Sequence, residues 1–312
     1  MIENEVTDLS SILEGLKENA SKVLHVKNDF RSPKVLPKIT RAILFPFNKE
    51  MHSVVAFKDM LTFEVAGVYD PLVFRNIGKN THNILGYGCS DFSIQNEAAI
   101  DWLSDFDAVI LGHTRVISSS LRCDYIDKFL KMCIKFKKSI FCFDKLDEYE
   151  SLVLQLTASG QWAFSPNISE FDIDNSCLGK LHGISTPVIG VFGTGTKQGK
   201  FTLQLSLRKK LQEIGYKVGG IGTEPTAQLF GLDYCYPSGY ESAVSIKGGE
   251  SVKALNGLMH NIDMNRNDII VVGGQSHTVP YNRGNLGFLS LSQHEFLLGT
   301  GTRLCCSLRE SF

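Results

Sequence analysis

One short stretch constrains the fold of this chain more than any other. Residues 188–211, VIGVFGTGTKQGKFTLQLSLRKKL, pass from an apolar run through a loop of glycine, threonine and lysine into a helical pattern. Glycines permit a sharp turn that brings backbone N–H groups inward, and the first turn of a helix adds free N–H donors and partial positive charge. The stretch therefore predicts a strand, a phosphate-binding loop and a helix, with Lys200 as a mobile counter-charge.

The loop departs from the common pattern G-x-x-x-x-G-K-[ST]. Five residues separate Gly193 from Gly199, and Phe201 stands where that pattern has Ser or Thr. The spacing is similar to the dethiobiotin synthetase loop, G-T-D-T-x-x-G-K-T. A glycine turn that serves only strand-to-helix packing would not explain Lys200 or the paired threonines. The predicted cofactor-binding residues are Gly193, Thr194, Gly195, Thr196, Lys197, Gln198, Gly199, Lys200, Phe201 and Thr202.

Composition bounds the class of protein. The 312 residues are 43% hydrophobic and 21% charged, which is enough for a sizeable core, and the length suggests two domains. A formal net charge of -1 supplies no bulk attraction to nucleic acid or to an anionic membrane, so we expect neither as a partner. The eight cysteines form no CxxC pair and no zinc-binding pattern, so we expect reduced thiols, a cytoplasmic location and no metal site.

Strand and helix patterns alternate through the first half of the chain. The segments AILF, VAGVYD, DAVILG and SIFCFD read as strands, and helical patterns lie between them. This alternation is typical of a parallel sheet with helices on both faces, so the sequence predicts an α/β protein. The predicted parts are an N-terminal helical extension at 1–36, a Rossmann-like domain at 37–149, a connection at 150–186 and a P-loop NTPase-like α/β domain at 187–312.

The Rossmann-like domain lacks a dinucleotide-binding signature. FPFNKEMHS follows its first strand where G-x-G-x-x-G would stand, so no dinucleotide site is predicted. Asp70 and Asp144 end two of the predicted strands, at the edge where open α/β sheets place ligands. Aspartates at such positions are also ordinary helix caps and turn formers.

The strand pattern at 268–273 should lie beside the phosphate-loop strand. In enzymes that cleave phosphate bonds this strand ends in a carboxylate that orders magnesium-bound water, but here it ends in Gly273, Gly274 and Gln275. Glu224, Asp233 and Glu241 could replace that carboxylate, although each is explained about as well as an ordinary surface residue. A site that binds phosphates without breaking them needs no such acid.

These motifs resemble a family of bacterial and archaeal two-domain proteins, long of unknown function, that pairs a Rossmann-like domain with a C-terminal P-loop domain. The family loop reads V-G-T-D-C-x-x-G-K-M-T, and this chain has Gly195 for the Asp and Phe201 for the Met. The family segment T-G-Q-T-G corresponds to GTEPTAQLFG at 222–231. The family strand end E-G-Q corresponds to Gly274 and Gln275.

The resemblance implies an enzyme, an N-acetyltransferase of D-amino acids that uses acetyl-coenzyme A to acetylate D-glutamate. The phosphate loop would then hold coenzyme A phosphates, which acyl transfer leaves intact. On this interpretation His277 is the general base, and Gln275 and Ser276 donate hydrogen bonds to the developing oxyanion. Glu224 and Arg283 bind the small amino-acid substrate. His277 and Arg283 also have a structural interpretation, in which they satisfy loop carbonyls.

Two other functions stay open. One is an ATP-binding enzyme that activates a carboxylate with ATP and Mg²⁺, in the manner of dethiobiotin synthetase. The other is a non-catalytic protein that binds a nucleotide or coenzyme A.

The C-terminal residues depart from the family. After the helical pattern LSQHEFLLGT the family continues with a further strand, whereas this chain reads GTRLCCSLRESF. We therefore expect the P-loop domain to be C-terminally truncated. An uncovered sheet edge favours association, so we also expect a homo-oligomer.

Overall fold

Two parallel sheets with intervening helices make up the part of the chain that the computed structural model describes. The described residues are 35–88, 91–173, 179–195, 198–238, 242–275 and 291–308. They belong to one compact unit, 33–312. The helical pattern predicted at 5–26 lies outside the described residues. The predicted α/β fold with parallel sheets is confirmed.

The first sheet has six parallel strands in the order β3-β2-β1-β4-β5-β6. This is the strand order of a Rossmann fold, in which ligands bind where the order reverses, here between β1 and β4. Its strands are β1 Arg41–Phe45, β2 Glu64–Asp70, β3 Ile94–Asn96, β4 Ala108–Leu111, β5 Ser139–Cys142 and β6 Ala163–Phe164. Its helices are α1 His52–Ala56, α2 Thr81–Leu85, α3 Arg115–Leu121, α4 Tyr125–Phe136 and α5 Glu150–Ala158.

Helix α4 shows how the sequence specifies these elements. Asp124 caps its first turn by accepting a hydrogen bond from the backbone N–H of Asp127 at 3.0 Å. Ile126, Phe129 and Cys133 recur at helical spacing and are buried against the sheet. Central strands β4 and β5 are buried along their whole length, as expected for a parallel sheet covered on both faces.

The segment predicted as an inter-domain connection, 150–186, is not irregular throughout. Residues 150–158 form α5, and β6 pairs in parallel with β5 at the edge of the first sheet. The sequence shows no helical period here because Leu154 is exposed while Leu156 is buried, so leucines lie on two faces of α5. The domain boundaries stay a prediction.

The second sheet has five parallel strands in the order β11-β7-β10-β8-β9. As predicted, β10 lies beside the phosphate-loop strand β7. The strands are β7 Val188–Gly193, β8 Val218–Gly222, β9 Tyr234–Cys235, β10 Ile269–Gly273 and β11 Leu304–Leu308. The helices are α6 Lys200–Glu213, α7 Gly249–Met264 and α8 Leu291–Thr300. Short 3-10 turns lie at Lys49–Met51, Lys58–Met60, Glu97–Ala99, Asp147–Tyr149, Glu170–Asp172 and Ala227–Phe230.

Strand β11 corrects the expectation of a missing strand. Leu304–Leu308 follow α8 and pair in parallel with β7, from Ile189 to Gly193. The short segment LCCSL therefore supplies the strand that we predicted to be absent. Within the described part of the chain β11 is an edge of the sheet, and the predicted homo-oligomer stays a prediction.

A shared hydrophobic core joins the two sheets. Val54 and Val55 of α1 belong to the same buried cluster as Leu205 of α6 and Phe230. The hydroxyls of Ser53 and Thr226 lie 3.2 Å apart across this contact. The core therefore fixes the loops of one sheet against those of the other. None of the helices in the described part is long and apolar enough to cross a membrane.

Candidate functional site

The phosphate loop connects β7 to α6. Gly199 has φ 81°, a left-handed conformation that favours glycine, and it turns the chain into the first residue of the helix, Lys200. Gly193 permits a close approach, since a Cβ there would lie 2.6 Å from Gln198 Oε1 and 3.2 Å from Lys200 Cδ. The local geometry thus explains why positions 193 and 199, singled out in the sequence, are glycines. Thr196 and Lys197 lie outside the described residues.

Side chains of the loop bind its own backbone. Lys200 Nζ donates to the carbonyl oxygen of Gly195 at 2.7 Å, and the N–H of Gly195 donates to Gln198 Oε1 at 3.0 Å. Gln198 Nε2 donates in turn to Thr194 Oγ1 at 3.2 Å. Lys200 therefore folds over the loop, and an anion that takes the Gly195 N–H must displace the Gln198 carboxamide.

Phe201 stands where the common phosphate loop has a magnesium-binding Ser or Thr, and here its side chain packs against a neighbouring ring. Its ring makes an edge-on contact with Phe230, with the ring centroids 5.6 Å apart. Thr202, the next residue, is exposed. Neither side chain shows the arrangement of a phosphate-loop Ser or Thr that ligates Mg²⁺.

Glu224 lies close to the phosphate-loop lysine. Burial raises the pKa of the Glu224 carboxyl above its ordinary value; nearby Lys49 and Lys200 oppose this change and Glu50 adds to it. Burial also lowers the pKa of Lys200, and Glu224 opposes that change. Asp233, another candidate acid, is instead tied to the backbone, because its Oδ2 accepts from the N–H of Gly220 at 2.7 Å. Glu241 lies outside the described residues.

A cleft brings together the carboxyl ends of strands from both sheets. We call it the central cleft. The first sheet contributes Lys49, Glu50, His113 and Phe143 to its lining. The second sheet contributes Thr223, Glu224, Pro225, Pro237, Ala243 and Gln275. Two residues predicted from the sequence, Glu224 and Gln275, therefore lie in one cleft, whereas His277, Ser276 and Arg283 lie outside the described residues.

A buried histidine–aspartate pair faces the central cleft from the first sheet. His113 Nδ1 and Asp144 Oδ1 lie 2.8 Å apart, and the side chains are 7% and 4% exposed by residue. The backbone N–H of Thr114 donates to Asp144 Oδ2 at 2.8 Å. Although burial acts to raise the pKa of Asp144, the hydrogen bonds from His113 and Thr114 outweigh it and hold the pKa below its usual 3.8. The carboxylate is thus ionised and orients the imidazole.

The sequence pattern indicated Asp144 but not His113. Each residue follows the end of its strand by two positions, and β4 and β5 are neighbours in the sheet. Because parallel strands end at the same edge, the two side chains meet. A histidine directly after the predicted strand DAVILG was the available signal.

Asp70 has a different role from Asp144. It is fully buried, and its Oδ1 accepts from the backbone N–H of Phe47 at 2.7 Å. It therefore anchors the loop after β1 and does not contact the cleft as a ligand group. Asn48 anchors the same loop, donating from Nδ2 to the carbonyl oxygen of His113 at 3.3 Å.

Two further pockets adjoin the central cleft. One, which we call the apolar pocket, has a volume of about 380 Å³ and shares Lys49, Glu50 and His113 with the cleft. The other, the charged pocket, has a volume of about 420 Å³ and shares Phe143 and Ala243 with the cleft. The apolar pocket is otherwise lined by Asn48, Phe74, Val116 and Ile117. The charged pocket is otherwise lined by Arg115, Asp144, Lys145, Asp147, Glu148 and Ser242.

Comparison with known families agrees with the phosphate-loop geometry. Residues 176–297 match the model of a domain of unknown function, DUF1611, described as its C-terminal P-loop domain. This segment is therefore similar to the C-terminal P-loop domain of DUF1611 proteins. The predicted resemblance to a two-domain family of unknown function with a C-terminal P-loop domain is thereby confirmed.

Solved structures extend the comparison beyond the matched segment. The chain is similar to the crystal structure of a DUF1611 family protein from Anabaena variabilis ATCC 29413, with a TM-score of 0.61 and 14% identity over 87% of this chain and 74% of that one. Aspartate semialdehyde dehydrogenase II from Vibrio cholerae gives a TM-score of 0.25 and 11% identity over 78% and 69% of the two chains, a similarity too low to indicate a shared fold. No curated protein matches the sequence.

The described part of the chain contains no group of three or more His, Cys, Asp or Glu side chains that could hold a metal ion. The five cysteines whose side chains are described, Cys123, Cys133, Cys142, Cys235 and Cys306, are free thiols.

The Glu224 carboxyl beside the phosphate loop predicts pH-dependent anion binding. An ionised carboxylate repels a phosphate, and burial raises the pKa of Glu224. We therefore expect affinity for a phosphate-bearing ligand, probed with acetyl-coenzyme A, to rise as the pH falls through that pKa, and Glu224→Gln to remove this component. Two charges at partly screened separation interact by on the order of 1 kcal/mol, or roughly fivefold in affinity.

Isothermal calorimetry measures the dissociation constant of the ligand at pH 5.5 and pH 8 for Glu224→Gln and for the unaltered protein. The effect is the difference between the two proteins in how this constant changes with pH. The ligand's own phosphate titration cancels in that difference. Glu213→Gln is the matched control, since Glu213 is exposed at the end of α6, the helix that follows the loop. An identical pH dependence in the unaltered protein and Glu224→Gln would remove Glu224 from the site.

Proposed function

We propose that this protein is an acyl-coenzyme A-dependent N-acyltransferase that acts on a small, D-glutamate-like amino acid. One observation carries the proposal: the central cleft joins a buried histidine–aspartate pair from one sheet to Glu224, the neighbour of the phosphate-loop lysine, from the other. Phosphate binding and proton transfer are the two capacities that such a reaction requires.

The loop residues fit a coenzyme A phosphate. Gly199 is left-handed, Lys200 begins a helix of 14 residues, and the N–H groups of that first turn are available to an anion. Lys200 already points its ammonium into the loop, where it bonds Gly195. Acyl-coenzyme A supplies a thioester when bound, and its phosphates take no part in the bond changes.

His113 fits the role of general base. The Asp144 carboxylate accepts from Nδ1–H, which gives the neutral imidazole its acceptor lone pair on Nε2. In the reaction the amine nitrogen forms a bond to the thioester carbonyl carbon, and His113 takes the amine proton. The carbon–sulfur bond then breaks, and the leaving sulfur receives the proton. Gln275 lies in the same cleft, which supports a role as hydrogen-bond donor to the oxyanion.

The charged pocket suits an amino acid. Arg115 and Lys145 offer cations to the substrate carboxylates, and the amine would extend into the adjoining central cleft towards His113. This pocket borders Phe143, whose ring packs edge-on against His113 with the ring centroids 5.6 Å apart. The sequence-based roles of His277, Ser276 and Arg283 stay predictions beside this assignment.

An assay of thiol release tests the proposal. The purified protein is mixed with acetyl-coenzyme A and, one at a time, the D- and L-forms of glutamate and other small amino acids. We expect free coenzyme A thiol to appear only when an amino acid is present, together with the N-acetylated product by mass spectrometry. Absence of amine-dependent release, combined with ADP formation from ATP and Mg²⁺, would replace the proposal with the carboxylate-activating enzyme.

A further inference from the structure

The apolar pocket differs in chemistry from the other two parts of the site. Phe74 and Ile117 are half-buried, and Val116 is 60% exposed at its mouth. The polar atoms of Asn48 in its wall are engaged, because Nδ2 donates to His113 and Oδ1 accepts from the N–H of Met51 at 3.2 Å. The wall thus presents hydrocarbon, with the charges of Lys49 and Glu50 at the border with the central cleft.

The position of this pocket follows from the topology of the first sheet. Lys49 and Glu50 follow β1, whereas His113, Val116 and Ile117 follow β4. The pocket therefore lies at the reversal of strand order between β1 and β4, where open α/β sheets bind ligands. Its volume of about 380 Å³ is within the range of small-molecule sites.

Continuity with His113 identifies the occupant. A base that takes the amine proton lies beside the amine, and the amine lies about 3 to 3.5 Å from the carbonyl carbon that it attacks. The acyl chain attached to that carbonyl must therefore occupy a space that borders His113. The apolar pocket borders His113 directly, and the charged pocket does not.

We propose, on the basis of the proposed function, that the apolar pocket holds the acyl chain of the donor and selects acyl groups longer than acetyl. An acetyl group has only a methyl beyond its carbonyl and leaves most of the pocket unused. Each additional buried CH₂ is expected to tighten binding about fourfold. The preferred donor is therefore a medium-chain acyl-coenzyme A, with the reacting amine in the central cleft beside His113 and the substrate carboxylates in the adjoining charged pocket.

Calorimetric binding of acetyl-, butyryl-, hexanoyl- and octanoyl-coenzyme A to the full chain tests the inference. We expect the dissociation constant to fall on the order of 100-fold from acetyl to hexanoyl. Val116→Asp places a charge at the pocket mouth and is expected to abolish this dependence on chain length. Leu154→Asp is the matched control, since Leu154 is 61% exposed on α5, away from these pockets, and it should keep the full dependence.

The outcomes separate this inference from the proposed function. Equal or tighter binding of acetyl-coenzyme A, or the same dependence on chain length in Val116→Asp, would overturn the acyl-pocket assignment and leave the acyltransferase standing. Binding of leucine that is tighter than that of glutamate and is lost in Val116→Asp, with no dependence on acyl length, would place the amino-acid side chain in the pocket instead. Failure of every acyl-coenzyme A to bind would reject the proposed function itself.

Discussion

His113→Gln is expected to lower kcat for amine acetylation by about 100- to 10,000-fold, the usual contribution of a positioned general base. Glutamine retains a polar side chain of similar reach but cannot take up a proton at neutral pH. Binding of acetyl-coenzyme A, which we propose to depend on the phosphate loop, should persist and would show that the variant is folded.

Asp144→Asn tests the orienting carboxylate. Asparagine can donate as well as accept, so the imidazole is no longer held with its proton on Nδ1, and kcat should fall while acetyl-coenzyme A still binds. His82→Gln, at an exposed histidine of α2, is the control and should behave as the unaltered protein. Full activity in His113→Gln would remove the pair from the mechanism and return the role of base to His277.

Asp70→Asn is expected to raise the free energy of unfolding at pH 8 by up to about 4 kcal/mol. Burial raises the pKa of Asp70 from 3.8 to about 7, and the hydrogen bonds from Phe47 and Asn76 only partly oppose this. The folded state therefore holds a proton that the unfolded chain releases, so stability falls as the pH rises from about 4 to about 7 and then levels off. The figure follows from the pKa difference at 1.36 kcal/mol per unit.

The comparison needs urea unfolding of both proteins at pH 5 and pH 8. The asparagine side chain would keep an acceptor for the Phe47 N–H without a buried charge, so the gain should appear at pH 8 and shrink towards pH 5. Asp101→Asn replaces an exposed aspartate and should show no such pH-dependent gain. Parallel pH dependences for Asp70→Asn and the unaltered protein would contradict the protonated buried carboxyl.

Local sequence patterns predicted most strands and helices but not which of their residues the fold brings together. Apolar runs such as AILF and DAVILG lie within one or two residues of β1 and β4, since buried parallel strands are nearly continuously apolar. Strand β6, of only two residues, and β9, also of two, are too short to leave a period. Strand β11 was missed because its sequence was judged against a family pattern, whereas the strand is defined by its backbone pairing with β7.

The site was predicted in part for a similar reason. The phosphate loop is contiguous, so glycine spacing and Lys200 were visible in one stretch of sequence. The histidine–aspartate pair joins residues 31 positions apart, and its cleft joins them to Glu224 through a core shared by both sheets. Such a site depends on strand order, which periodicity alone does not specify.

The central claim is that the phosphate loop binds an acyl-coenzyme A. Thermal unfolding of the unaltered protein, Lys200→Ala and Lys210→Ala tests it most directly, measured with acetyl-coenzyme A and, separately, with ATP and Mg²⁺. A ligand at about 100 times its dissociation constant adds roughly 2.7 kcal/mol to the free energy of unfolding. We predict stabilisation by acetyl-coenzyme A that is lost in Lys200→Ala and retained in Lys210→Ala, an exposed lysine of the same helix. Stabilisation by ATP and Mg²⁺ alone, or equal stabilisation of Lys200→Ala by acetyl-coenzyme A, would contradict a phosphate loop that serves acyl transfer.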